Sequence, residues 1–455
     1  MSRVVVLGGG PGGDVAALRA AQLGASVTLI EEDHVGGTCL NWGCIPTKAL
    51  LAGADLLRRI HRAKEFGIEV EGVKVNFPKM MERKEEIVQK LRHDVEEACS
   101  RRHIDLRASH GVLVQGGVEV DGDLVAYDDL ILATGTRPTP LPVFDMQHPR
   151  VITSDDALRL DVLPERLLII GGGVIGCEFA SLFTALGVAV TVVELLPELL
   201  PGVDSRVASF FRGLMGREGV VFHLGRSVSS VVSYRKDGLA VKLDDGTTID
   251  TDYALVAVGR SPRTSGIGLE DAGVVLGPRG HVQVDPFLRT GAAGIWAVGD
   301  CIGGQQLAHL ASAEGTRAAE NALGHAVRAM DRTVVPATIY THPEIATVGI
   351  TPDLARSSGI KAKSSRARFS INGKALGEGE ADGYAQLLFE EDSHRLLGAT
   401  IIGPHAVETI HEIAVAMSDA LTAGDLGSVI HAHPTVSELI MDAAQQADAV
   451  APYLS

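Results

Sequence analysis

The chain has 455 residues, 45% of them hydrophobic and 22% charged, which is room for two to four domains of ordinary size. Its 41 basic and 57 acidic side chains leave a net charge of −16, which disfavours nucleic acid as a partner. No apolar run reaches the roughly 18 residues that a membrane helix needs, and five cysteines are too few for a disulfide-stapled secreted fold. A cytoplasmic protein with neither membrane nor nucleic-acid partners is expected.

The opening MSRVVVLGGGPGG is apolar, but it runs into a glycine turn with no small-residue cleavage site and reads as a first strand, not a leader. Residues 4–13, VVVLGGGPGG, set Gly8, Gly10 and Gly13 in G-x-G-x-x-G spacing after that strand. A helical DVAALRAAQLGA follows, then a strand, SVTLIE, ending on Glu31, 23 residues beyond the first glycine. Strand, glycine turn, helix and acid together are the context of a dinucleotide site. The glycines admit a pyrophosphate, the helix amino end supplies N–H groups and a positive dipole, and the acid takes ribose hydroxyls.

Next comes GGTCLNWGCIPTK at 36–48, with Cys39 and Cys44 five positions apart. Metal ligands more often form a closer pair with a second cluster elsewhere, whereas Cys99, Cys177 and Cys301 are scattered singly, so no metal site is expected. A redox pair is the better reading; two free buried thiols are the alternative. Positions five apart on an ideal helix lie roughly 8–9 Å apart, and a disulfide wants about 4.4–6.8 Å between Cα atoms. A bonded pair therefore requires a break in the helix, with Gly43 the obvious place, and strain of that kind suits a reducible bond. Pro46 fits the first turn of TKALLAGADLLRRI, and Lys48 shares a face with Cys44. Residues 79–103 read as a charged amphipathic helix on which His93, Cys99 and His103 take solvated or packing positions.

The first pattern then recurs. A shift of 163 superposes Gly8, Gly10, Gly13 and Glu31 on Gly171, Gly173, Gly176 and Glu194, and each unit closes alike, LILATG at 130–135 and LVAVG at 255–259. Two dinucleotides are expected on one chain. Glu194 repels a 2′-phosphate, and no Lys or Arg follows it before Arg206, which favours NAD over NADP.

The redox loop, IWAVGDC at 295–301, QLAHLASAEG at 306–315, IYTHPEIATVG at 339–349 and HAHPTVSE at 431–438 carry a resemblance. Along essentially its whole length the chain is similar to the flavin-dependent class I pyridine nucleotide–disulfide oxidoreductases. Its tail and cofactor choice look most like the dihydrolipoamide dehydrogenase branch. The resemblance implies an α/β fold with FAD and NAD domains of Rossmann type and an α+β dimerisation domain. The expected boundaries are 1–143 for FAD, 144–265 for NAD, 266–335 for a return segment completing the FAD domain, and 336–455 for dimerisation. It implies that Cys39 exchanges with substrate, that Cys44 faces the flavin, and that Lys48 lies near the ring and pairs with Glu178. Gly37, Thr38, Gly111, Ala133, Thr134 and Gly135 would line FAD with the first glycines and Glu31. Asp300 would sit on the ribityl side, with Gln306, Leu307, Ala308 and His309 under the ring. Val228 and Gly259 would join Gly171, Gly173, Gly176, Glu178 and Glu194 around NAD. His433, held by Glu438 and contributed by the partner subunit, would be the base on the dithiol, although Thr435-x-x-Glu438 is also the spacing of a helix-capping box.

The implied function is oxidation of a protein-bound dihydrolipoamide dithiol with NAD as acceptor, in cell redox homeostasis. The implied partners are a second copy and a dithiol substrate such as the lipoyl domain of a 2-oxo acid dehydrogenase or glycine cleavage complex. The alternatives on the same scaffold are reduction of another disulfide, a quinone or a metal ion, or service as a peripheral subunit of a larger complex. Asp14 where an aromatic residue is common, Thr47 for a frequent serine, Gln305-Gln306 before LAH, and IATVG are departures from the branch.

Overall fold

The computed structural model describes residues 1–447. Val4, Val5 and Val6 are all almost fully buried, so Arg3–Leu7 is a central strand covered on both faces. Around it lies a parallel sheet in the order Ile295–Ala297, Asp129–Leu132, Arg3–Leu7, Ser26–Glu31, Asp105–Ala108. A second parallel sheet runs Val221–Leu224, Ala189–Glu194, Arg166–Ile170, Tyr253–Val256, Val151–Ile152. The internal repeat extends to register: Arg3 faces Ser26, and Arg166 faces Ala189, the same shift of 163 that aligns the glycines. The two sheets differ in their fifth strand. It arrives from residues 295–297 in the first sheet and from upstream residues 151–152 in the second.

Helices Pro11–Gln22 and Val174–Ala185 follow the two central strands. A Cβ on Gly13 would lie 1.8 Å from the Gly8 carbonyl oxygen, and one on Gly176 2.0 Å from that of Gly171. The third glycine of each fingerprint therefore serves helix-on-strand packing. Helix Ala308–Ala322 returns to lie along Pro11–Gln22, where Arg19 pairs with Glu320 at 2.7 Å. The charged helix spans Phe77–Arg101, with the Asn76 side chain accepting the Lys79 N–H at 3.1 Å; Cys99 is buried on it and His93 is exposed. Cys177 is buried in the first turn of helix Val174–Ala185, not in a connecting turn, and Cys301 is buried as well.

Beyond residue 336 an antiparallel sheet runs Ala337–Ile339, Ile345–Gly349, Leu396–Ile402, Tyr384–Glu390, Ala362–Arg368. Helices Ala406–Ser418 and Glu438–Ala447 cover it. Ile339, Ile345, Tyr384 and Ile402 join the same hydrophobic core as Leu50, Phe179 and Phe183, so this region is welded to the helices beside the redox loop.

Asp14 is buried in the first turn of Pro11–Gln22, bonded at 2.6 Å by the Val15 N–H. Burial pushes its carboxyl up to about 7, against the pull of that N–H. The folded protein thus holds a proton that the unfolded chain releases. The associated stability is fully present below the ordinary carboxylate pKa and is lost as pH rises through about 7. Asp14→Asn should raise the melting temperature more at pH 8 than at pH 5; an equal effect at both would contradict this. Gly13→Ala and Gly176→Ala should each cost at least about 1–3 kcal/mol by overpacking. Gly213→Ala, on an exposed helix position with open space around the new Cβ, should stabilise by about 0.5–1 kcal/mol. Denaturant melts of the three variants compare them directly.

Candidate active site

A groove of about 1570 Å³ runs between the glycine turns of the two repeats, more than the roughly 300–1,000 Å³ of a single drug-sized site. Its walls include Gly8, Gly10, Glu31, Gly37, Thr38, Gly111 and Ala133–Gly135 on one side, and Gly171, Gly173, Glu194, Val228 and Gly259 on the other. Cys39, Cys44, Lys48, Glu178, Asp300 and Gln306–His309 line it between them. Gly13 and Gly176 do not line the groove; they lie behind its walls, at the helix–strand contacts described above.

The walls suit dinucleotides. Gly173 has open space where a side chain would stand, and a Cβ on Gly10 would come no nearer than 3.8 Å to another atom. Both sit at helix amino ends whose N–H groups favour a pyrophosphate. The Thr134 hydroxyl is buried without a hydrogen-bond partner, a polar group that a flavin heteroatom would satisfy. Each strand-end acid braces its own turn: Glu31 accepts from Gly9 N at 2.6 Å and Asp33 N at 2.9 Å, and Glu194 from Gly172 N at 2.5 Å and Leu196 N at 2.7 Å. Both carboxylates keep lone pairs for ribose hydroxyls. Burial pushes the Glu31 carboxyl up, while the Asp33 and Gly9 N–H bonds oppose it.

The cysteines sit on two consecutive helices, Gly37–Trp42 and Cys44–His61, with Gly43 at φ −140° and ψ −111° between them. This is the break that a bonded pair requires. A Cβ there would lie 2.8 Å from the Thr38 carbonyl oxygen. Thr47 Oγ1 donates to Gly43 O at 2.6 Å, and Asn41, held by Arg92 at 2.9 Å, donates to Val35 O and Gly37 O, so the loop is pinned at both ends. The two thiols are hydrogen-bonded to each other and titrate in opposite directions. The hydrogen bond from Cys39 brings Cys44 down to about 7, with help from Lys48 and against burial and Glu178. The same contact, then burial, drives Cys39 up. Both cysteines line the groove, Cys44 the more exposed of the two. Lys48 Nζ donates to both Glu178 oxygens, at 2.9 and 2.8 Å.

Three groove residues had escaped sequence reasoning. Arg260 donates from Nε to Thr136 Oγ1 at 2.8 Å and from Nη2 to Thr136 O and Thr38 Oγ1; Thr136 Oγ1 in turn donates to Asp300 at 2.9 Å. Burial lowers Arg260 and raises Asp300, and their mutual attraction opposes both effects. Its signal was the arginine directly after the LVAVG closure. Tyr340 lies with its ring 4.5 Å from Lys48 Nζ, and nothing in its local spacing marks it. Arg226 lines the groove and donates its N–H to Glu194 O at 3.0 Å, with its guanidinium on Asp245 at 3.1 Å.

His433 and Glu438 do not line this groove. The His433 ring is 79% exposed, with Nδ1 2.8 Å from Glu438 Oε1, while Glu438 Oε2 takes the Thr435 N–H at 2.8 Å. Burial pushes the Glu438 carboxyl up, but Thr435 and His433 outweigh it and hold it below its ordinary value. The carboxylate half of a capping box is therefore present; the Thr435 hydroxyl bonds Ala432 O instead. No group of three or more His, Cys, Asp and Glu side chains able to hold a metal occurs among the described residues.

The family model for pyridine nucleotide-disulphide oxidoreductases matches residues 2–315, and that for their dimerisation domain residues 335–444. The dihydrolipoyl dehydrogenase of Chlamydia muridarum is 41% identical over 447 residues, covering 97% of this chain and 95% of the relative. That of Bacillus subtilis is 38% identical over 463 residues, 98% of each. Among solved structures, LpdA of Mycobacterium tuberculosis is similar with a TM-score of 0.91 at 31% identity, covering 98% of this chain and 99% of that one. RclA of Escherichia coli, an HOCl-induced flavoprotein disulfide reductase, reaches 0.89 at 29% identity, covering 97% and 99%.

Proposed function

The chain belongs to the pyridine nucleotide-disulphide oxidoreductases, and from that premise we propose that it oxidises the dithiol of a protein-bound dihydrolipoamide to the disulfide. It is an NAD-dependent disulfide oxidoreductase with FAD and NAD as cofactors. The observation that carries the proposal is the placement of Cys39 and Cys44 on either side of the Gly43 break, beside Lys48–Glu178 and between two dinucleotide turns. Gly8, Gly10 and Glu31 would hold FAD and Gly171, Gly173 and Glu194 would hold NAD, which together would supply two-electron acceptance from the cysteine centre.

In the working cycle Cys39 and Cys44 begin as a disulfide. One substrate thiolate attacks Cys39, forming a mixed disulfide and releasing Cys44 as the thiolate, the form its surroundings favour. The second substrate thiol attacks the bound substrate sulfur, closing the product disulfide and freeing Cys39, which its surroundings keep protonated. Two protons leave the substrate dithiol. His433 of the partner subunit accepts the first, oriented by Glu438 at Nδ1 so that Nε2 is the working nitrogen, and the second ends on the freed Cys39. A homodimer is supported by the dimerisation match over 335–444 and by the absence of His433 from its own chain's groove. We divide the chain at 1–143, 144–265, 266–335 and 336–455, on the ground that strand Ile295–Ala297 and helix Ala308–Ala322 join the first sheet, not the second; the end of the last unit, 448–455, lies outside the described residues. A lipoyl domain is the expected partner and the cytoplasm the expected location; no described helix is long and apolar enough to cross a membrane.

Replacing Glu194 by Ala should weaken NAD use roughly ten- to a hundredfold, since charge-assisted hydrogen bonds are worth about 1.5–3 kcal/mol, and should shift the NADP:NAD ratio of kcat/KM towards NADP. Wild-type protein that turned over both nucleotides equally well would contradict the role given to the acid. Cys39→Ser should keep a long-wavelength thiolate–flavin absorbance band that grows with pH as Cys44 ionises, while losing dithiol turnover. Cys44→Ser should lose both. His433→Gln should leave reduction by NADH intact and cripple dihydrolipoamide oxidation near neutral pH. Stopped-flow spectra with NADH and with dihydrolipoamide separate the three; undiminished dithiol oxidation by any variant removes that residue from the mechanism.

A further inference from the structure

Tyr340 follows strand Ala337–Ile339 in the region of the dimerisation match, yet it reaches the cysteine centre. Its backbone N–H donates to Glu178 Oε1 at 3.0 Å, and its ring stands 4.5 Å from the Lys48 ammonium that the same carboxylate holds. Two residues on, the His342 N–H donates to Ser181 Oγ at 3.1 Å, one turn along the helix that carries Glu178. Arg58, on the helix that carries Cys44 and Lys48, donates to the Ser181 carbonyl and hydroxyl at 2.7 and 2.9 Å. Segment 340–342 is thus latched by its backbone at two points, and the ring is delivered to Lys48 without having to hold the segment itself.

Lysine is a point charge on a flexible four-carbon stem, so its field at a neighbouring sulfur depends on how tightly the ammonium is confined. Glu178 grips it by charge from one side, and the Tyr340 face closes another by cation–π attraction. We propose that Tyr340 is a positioning residue, whose ring holds the Lys48 ammonium where its charge favours the Cys44 thiolate, making the dimerisation region part of the redox centre. The proposal rests on the reading of Cys44 as the thiolate that faces the flavin. The charged and titratable groups acting on Cys44 are Lys48 on its own helix, Cys39 on the preceding one, Glu178 across the groove, and Arg260 in the groove wall beside Thr38.

The test is a pH titration of the long-wavelength band in Cys39→Ser holoenzyme, where Cys44 is the sole thiol of the pair. Adding Tyr340→Leu keeps the backbone bonds and removes the ring; the midpoint should rise by about half a pH unit or more. Tyr340→Phe should restore it, and in a Lys48→Gln background Tyr340→Leu should add no shift. Tyr340→Met provides a second ring-free variant should the leucine protein not fold. An unchanged or lowered midpoint in the ring-free variants, or a full shift persisting without Lys48, overturns the role of Tyr340. Absence of any band in Cys39→Ser alone is a different failure, one that overturns the reading of Cys44.

Discussion

The Lys48–Glu178 pair, at 2.8 Å with Glu178 almost wholly buried, is the interaction on which the rest of the site depends. Its lysine lies one turn after Cys44, and its acid one turn into the helix of the second glycine turn. A buried ion pair is not by itself a source of stability, because desolvation offsets the attraction, yet removing one partner strands the other charge. Its consequence here is registration: the redox-loop helix and the second nucleotide unit cannot shift relative to one another without exposing an unpaired charge. Segment 340–342 and Arg58 complete the same joint from a third direction.

Around that joint the fold repeats one device. The two sheets share the order and register of four strands, and their glycine turns line a common groove. The acids ending the second strands hold the turns' own N–H groups before any ribose arrives. Binding then requires little loop ordering, which is where affinity is commonly lost.

Local signals carried most of this into the sequence. The fingerprints were legible because glycine spacing, flanking strand and terminal acid all lie within one βαβ unit, and their repetition excluded coincidence. The break at Gly43 followed from helix geometry alone. Contacts closed by tertiary folding were less accessible. Arg260 reaches Thr136 across 124 positions, and Tyr340 reaches Glu178 across 162. Along the chain no basic residue follows Glu194 before Arg206, but in space one does, because pairing of Ala189–Glu194 with Val221–Leu224 carries Arg226 to the acid. Asp245 engages that guanidinium at 3.1 Å, so Arg226 is itself paired with an acid.

At the carboxyl-terminal histidine a helix-capping contact and the base role given to it under the proposed function share one carboxylate. HPTxSE spacing is equally that of a helix start, and the two Glu438 oxygens divide the roles between them. Oε2 takes the Thr435 N–H ahead of helix Glu438–Ala447, and Oε1 orients His433. The helix start therefore fixes the carboxylate, and the carboxylate fixes the imidazole. A ring so firmly directed from behind and so open in front makes no contact with its own chain's groove. Under the proposed function each chain holds both an electron-accepting pair and a base, and two-fold assembly lets each base serve the other chain's pair. The dimerisation region would then contribute twice to every centre, through Tyr340 from within the chain and through His433 from across the interface.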